Sequence, residues 1–219
     1  MSAQNFIDDF EECAVSPGWS SFNDVLPTPN SFKILQAPGG AAGTGHGGHY
    51  TGTGAKTTSA GGYGVGTVYN VAIDPAHSIY CIDISAFDGV SFWAKAATAG
   101  STISLNFVLP QTNMQTVDSM GRPNGGDCVT GCYNHPHVPV SLTTNWTLYT
   151  VPFVDATGGS AVVTNRLQEL AWLSPDANWD FSIDEISFYK GTPPVGAVGP
   201  GATACPSDAG PSDADAAGD

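Results

Sequence analysis

The chain predicts an all-β fold, a two-sheet β-sandwich, on three observations. No segment of its 219 residues sustains apolar spacing at i, i+3, i+4 and i+7 through successive helical turns. Short alternating runs rich in Val, Ile, Phe, Tyr, Trp and Thr recur instead, each closed by turn residues. Hydrophobic residues make up 41% of the chain, enough for a core and too many for a chain disordered throughout.

Taken in order, the strand signals are Phe6–Glu11, Ser31–Gln36, Gly66–Ala72, Gly89–Lys95, Thr102–Leu109, Val138–Leu142, Thr147–Val151, Leu167–Leu173 and Phe181–Tyr189. Strands of this number separated by turns fit two packed antiparallel layers. Phe10, Phe92, Phe107, Trp146, Phe153, Phe181 and Phe188 fall at the core-facing phase and are assigned to packing. Between Gly39 and Gly66 lie 12 glycines, counting both ends. They read either as a surface loop or as a compact loop whose tight turns need positive φ. Residues 1–191 are expected to form one domain. Residues 192–219 differ, with 5 Pro, 5 Gly, 7 Ala and 4 Asp and no aromatic, Lys or Arg. Such a segment buries too little apolar surface to order itself, so it reads as a disordered linker or tail to another domain.

Six Lys and Arg stand against 20 Asp and Glu, a formal net charge of -14. No basic patch exists to bind phosphates, so nucleic acid is excluded as a partner, and an anionic membrane surface for the same reason. No run of about 18 apolar residues occurs to span a bilayer. Met1–Asn5 shows no basic segment followed by an apolar stretch, so no export signal is visible. The chain is either intracellular or exported by a signal outside it. A monomer is expected.

The cysteines favour export. Cys128 and Cys132 sit in a Gly-rich, loop-like stretch, and a local disulfide between them is the expectation. Two idle thiols, or a zinc site completed by His135 and His137, are the alternatives, although that ligand spacing is tighter than usual for structural zinc. Cys13 with Cys81 is a candidate second bridge, which would leave Cys205 unpaired.

Catalytic signals are sparse. A glycosidase needs two carboxylates flanking the bond, yet the chain has four Glu (Glu11, Glu12, Glu169 and Glu185), none in a recognisable catalytic motif. No Gly-x-Ser-x-Gly elbow, Walker loop or dinucleotide fingerprint occurs.

Four stretches carry a family resemblance: Ile7–Glu11, Tyr63–Tyr69, Asn145–Phe153 and Phe181–Phe188. In this order they resemble carbohydrate-binding module family 11, modules attached to bacterial endoglucanases, and they cover most of residues 6–189. The resemblance implies a galactose-binding-like jelly roll and a non-catalytic role. The module would hold a secreted polysaccharide-degrading enzyme on a neutral β-glucan, cellulose-type or mixed-linkage. A small endoglucanase-like hydrolase or lyase on the same sandwich is the alternative reading, and a cell-surface adhesion module a further one. The Cys128–Cys132 loop and the long Gly-rich loop depart from the family pattern.

The resemblance also implies a structural calcium ion tying the first strand to the last. Asp9 and Glu11, placed on one face of the first strand, and Asp184, in the closing strand, are the expected ligands, with Asp8 an alternative to Asp9. For the sugar, flat aromatic platforms and short polar side chains are needed. Alignment with the family puts Ala171 and Leu173 at the core phase and points Trp172 to the binding face. Tyr63 matches a cleft tyrosine of the family. Gln111 and Asn113 after the Thr102–Leu109 strand, Arg122, and His135 beside the cysteine loop are the polar candidates.

Overall fold

The structure is a computed structural model that describes residues 6–12, 14–23, 35–53, 65–71, 81–117, 121, 123–176 and 178–192. Its strands are β1 (Phe6–Asp8), β2 (Trp19–Asn23), β3 (Leu35–Pro38), β4 (His46–Thr53), β5 (Val65–Asn70), β6 (Gly89–Ala96) and β7 (Thr102–Val108). They continue as β8 (Gln115–Val117), β9 (Pro123–Gly125), β10 (His137–Ser141), β11 (Thr147–Pro152), β12 (Glu169–Ser174) and β13 (Asn178–Tyr189). One sheet runs β11-β6-β13-β4-β3 with β1 joined to β13, and the facing sheet runs β10-β7-β12-β5-β2. Every strand pair is antiparallel. The all-β sandwich is as expected.

Alternation explains how each sheet finds its inner face. In β6, Val90, Phe92, Ala94 and Ala96 are buried in the core while Trp93 and Lys95 are half-buried on the outside. In β7, Ile103, Leu105 and Phe107 point inward. β13 is the spine of the first sheet. It gives one edge to β6 and divides the other between β4, along Asn178–Ile183, and β1, at Ile186 and Ser187. Its register against β6 slips between Asp184 and Ser187, where Glu185 takes φ 49°. Such a bulge re-aims side chains.

The strands differ from the expected set where glycine and polarity hide the pattern. β2, β4, β8 and β9 were not among the nine runs. β4 is the largest surprise, because it lies inside the glycine-rich stretch yet pairs with both β3 and β13. Its core contribution rests on Tyr50, and its glycines leave no period-two apolar signal. At Gly47 a Cβ would sit 3.2 Å from the Trp146 indole, so glycine there lets the ring close over the strand. The first run is shorter than expected. β1 stops at Asp8, Phe10 turns to φ 56°, and Asp8 Oδ1 accepts the Phe10 amide at 2.8 Å. Asp9 and Glu11 therefore follow the strand and do not share a strand face.

Of the seven aromatics assigned to packing, Phe10, Phe92, Phe107, Phe153, Phe181 and Phe188 are buried. Trp146 is not. It stands half-buried on the outer face of the first sheet, because it precedes β11 and so escapes that strand's alternation. Cys81 is a free thiol, so the Cys13–Cys81 bridge is not formed. Cys13, Cys205 and residues 193–219 lie outside the described residues, as do residues 31–34 of the second expected strand.

Candidate functional site

β12 decides which face of the second sheet carries the site. Leu170 and Trp172 point into the core, and Trp172 is 0% exposed, with ring centroids 5.5 Å from Trp19 and 5.9 Å from Phe92. Glu169, Ala171 and Leu173 point the other way. The two faces are the reverse of the expected assignment, so Trp172 is a core residue and no sugar platform. The physical reason is area: Leu with Trp buries more apolar surface than Ala with Leu, so the larger pair goes inside. Glu169 shares the phase of Ala171 and Leu173, and a carboxylate at that phase was the legible sign of the outer face.

The outward side chains of β5, β7 and β12 meet in register. Ala171 stands opposite Val68 on one side and Asn106 on the other, and Glu169 opposite Val108. They floor a cleft of about 220 Å³, with Val68, Val108, Ala171 and Leu173 as its apolar base. Asn106, Asn113, Tyr133, His135 and Glu169 provide its polar and aromatic rim. Asn113 and His135 were expected, whereas Asn106, Tyr133 and Glu169 were missed. Asn106 was findable, since it sits between the core-facing Leu105 and Phe107. Tyr133 was not, because no periodicity reaches a loop.

The rim is held by the cysteine loop. Cys128 and Cys132 are joined in a disulfide. The loop is laced to the turn after β7: Asp127 N donates to Pro110 O at 2.7 Å, Cys128 N to Asn113 O at 3.0 Å and Tyr133 N to Thr112 O at 2.7 Å. At Gly126 a Cβ would lie 2.2 Å from Asn113 O, so no other residue allows this approach. Asn113 Nδ2 donates to Gln168 Oε1 at 3.3 Å, and Gln168 Nε2 to Gly125 O at 2.8 Å. His135 Nδ1 bonds the Thr112 hydroxyl at 2.7 Å, and its ring meets Tyr133 edge-on at 6.2 Å. Burial lowers the His135 pKa to about 4, so the imidazole is neutral at ordinary pH and can both accept and donate. Burial raises the Glu169 pKa to about 7. Gln111 is half-buried and does not line the cleft. Tyr63 and Arg122 lie outside the described residues.

Carboxylates also gather at the first sheet, around β1, the middle of β13 and the start of β4. Asp184 is fully buried; its Oδ2 accepts the Ala41 amide at 2.7 Å and lies 3.1 Å from Thr44 Oγ1, and its Oδ1 accepts the Glu185 amide at 2.8 Å. Glu11 Oε1 accepts the His46 amide at 2.8 Å. Glu11 and Asp184 thus clasp one turn, Ala41–His46, from opposite chain ends. Glu11 Oε2 is buried with no hydrogen-bond partner among the described residues, 3.7 Å from His46 Nδ1. Burial also raises the Asp184 pKa to about 7. Glu11 and Asp184 bring hard oxygen donors to this one turn, and an orphaned buried carboxylate oxygen such as Glu11 Oε2 is the kind of donor a hard cation satisfies. Asp9 belongs to a neighbouring group with Asp8 and Glu12, whose ligand atoms lie within 4.8 Å of one another.

With this geometry in place, comparison with known proteins adds the fold's kinship. No protein-family model and no curated protein matches the chain. A family 11 carbohydrate-binding module from Clostridium thermocellum, solved in complex with a β-1,3-1,4-mixed-linked tetrasaccharide, is similar with a TM-score of 0.58. The match is 17% identical and covers 87% of this chain and 97% of that one. The chain has the fold of the family 11 carbohydrate-binding modules. The family 11 module of a cellulosomal cellulase of Clostridium thermocellum gives a TM-score of 0.56 at 17% identity, covering 87% of this chain and 96% of that one. The sandwich also recurs inside a larger protein, an agarase, with a TM-score of 0.52 at 7% identity; there it covers 86% of this chain and 26% of the agarase.

Proposed function

We propose that this chain is a non-catalytic carbohydrate-binding module for a neutral β-glucan, cellulose-type or mixed-linkage. The observation that carries the reading is the cleft on β5, β7 and β12, where an apolar base is rimmed by Asn106, Asn113, His135 and exposed Tyr133. Sugars present C–H faces ringed by hydroxyls. Apolar side chains and a flat ring suit the former, and short amides with a neutral imidazole suit the latter. The likeness of fold to a module solved with a mixed-linked tetrasaccharide supports the same class of ligand. Glu169 is the one carboxylate among the described cleft residues, which favours binding over two-carboxylate hydrolysis.

The module would serve a secreted polysaccharide-degrading enzyme, tethered through the segment from residue 192. The Cys128–Cys132 disulfide supports an oxidising compartment. A calcium ion would be held by Glu11 and Asp184, with Asp9 or Asp8 from the adjacent acidic group. Its role would be structural: a hard cation offsets the repulsion and burial of these carboxylates and ties the chain ends to the Ala41–His46 turn.

Affinity electrophoresis against neutral and acidic polysaccharides tests the reading. Retardation by mixed-linkage β-glucan with no release of reducing ends is the expected result. Release of sugar would replace it with the hydrolase alternative, and no retardation by any glycan would replace it with adhesion.

A further inference from the structure

A second cavity lies on the outer face of the other sheet, turned away from the cleft. It holds about 410 Å³. Three strands set its floor in a single cross-strand row: Ser182 of β13 stands opposite His49 of β4 and Lys95 of β6. Trp146 forms one wall. Its Nε1 donates to Gly39 O at 3.0 Å, and its ring closes over Gly47. These contacts fix the indole at the cavity edge, where a ring left half-exposed is not needed for packing.

The cation here is unusual for this chain. Arg166 and Lys190 are each bonded to a carboxylate, Asp127 and Asp88. Lys95 has no carboxylate partner among the described residues. Its Nζ sits instead over the Trp146 ring, 4.6 Å from the centroid. A cation–π contact positions an ammonium while leaving its hydrogen-bond donors for an anion. Asp180, the carboxylate on the cavity wall, is engaged by His49 Nε2 at 2.8 Å. The cavity therefore presents a placed ammonium, an aromatic ring and a row of hydroxyl-bonding groups.

We propose that this cavity is a second glycan subsite, which takes a single hexuronate residue. The sugar's carboxylate pairs with Lys95, its hydroxyls meet His49, Asp180 and Ser182, and its C–H edge meets Trp146. The net charge of -14 repels a continuous polyanion, so the ligand is an isolated uronate side group on an otherwise neutral chain. The two sites face opposite ways, so no single stretch of glycan fills both: the cleft takes a neutral chain and the cavity takes the acidic side group of another.

The test is calorimetric titration of the full chain with two probes: a xylo-oligosaccharide carrying one glucuronate side group, and the same oligosaccharide without it. The expected result is a preference of about tenfold or more for the acidic probe, the scale of one charge-assisted hydrogen bond. Lys95→Gln, which keeps the stem over the ring, should erase the preference; His135→Ala should keep it. Trp146→Phe should remove the tryptophan-fluorescence change that accompanies binding. Equal binding of the two probes, binding of neither, or a preference that survives Lys95→Gln would overturn the proposal. So would a preference lost in His135→Ala, which would put the uronate in the cleft. Failure of the cleft reading is seen separately, as β-glucan retention unchanged by His135→Ala.

Discussion

Glu169 stands mid-sheet between Asn70 and Val108, and burial alone raises its pKa from 4.5 to about 7. An acid whose folded pKa is raised favours folding while protonated. That contribution is full below pH 4.5 and is lost as pH climbs to about 7. Its size is on the order of 3 kcal/mol. His135 has the opposite sign: its pKa falls from 6.5 to about 4, so its contribution is present above pH 6.5 and is lost on acidification. The melting temperature of Glu169→Gln, followed from pH 5 to 8, should fall less steeply on the alkaline side than the parent's, the remainder belonging to Asp184, whose pKa burial also raises to about 7. An unchanged slope would mean that Glu169 is not the group responsible. Trp172 gives a contrasting residue-scale expectation. Trp172→Ala should cost about 3–5 kcal/mol of stability by opening a core cavity. Per folded molecule, its glycan retention should match the parent, whereas Tyr133→Ala should lose retention at the cleft rim.

At the scale of elements, the disulfide loop is an instrument of placement more than of stability. A loop of this length contributes only about 2 kcal/mol by chain entropy. Replacing Cys128 and Cys132 by Ser should lower the melting temperature slightly and weaken glycan retention more, because Tyr133 and His135 hang from that loop. Retention at the parent's level would show that the backbone bonds to Pro110, Thr112 and Asn113 suffice. The same distinction explains what the sequence made legible. Strands with a one-sided apolar pattern, β6, β7 and β13, were readable because burial writes a period of two. β4 was not, since its glycines leave no apolar alternation and Gly47 answers to the Trp146 ring. The cleft was half legible. Asn113 and His135 were found by their place beside loops, whereas β12, apolar on both faces, had its faces reversed. Alternation separates two faces without saying which is inside; the charge of Glu169 and the bulk of Trp172 say it together.

For the whole molecule, the question is how so acidic a chain closes its sandwich. Two buried carboxylates come from sequence positions near opposite ends of the domain: Glu11 follows β1, and Asp184 lies at the bulge of β13. Both seize the Ala41–His46 turn. Without a cation the burial of Asp184 opposes its ionisation, as its raised pKa records. With one, the same burial strengthens the attraction and links three segments distant in sequence. The proposed calcium ion would therefore act on global stability rather than on the cleft. At 100-fold excess over its dissociation constant, an ion bound only by the folded state adds about 2.7 kcal/mol. For a domain of this size that is about 5–10 °C in melting temperature. Chelator should lower the melting temperature by that amount, and added calcium should restore it. In Glu11→Gln or Asp184→Asn the chelator should have little further effect. A parent protein whose melting temperature ignores chelator would remove calcium from the account, leaving the turn's own hydrogen bonds to hold the two carboxylates.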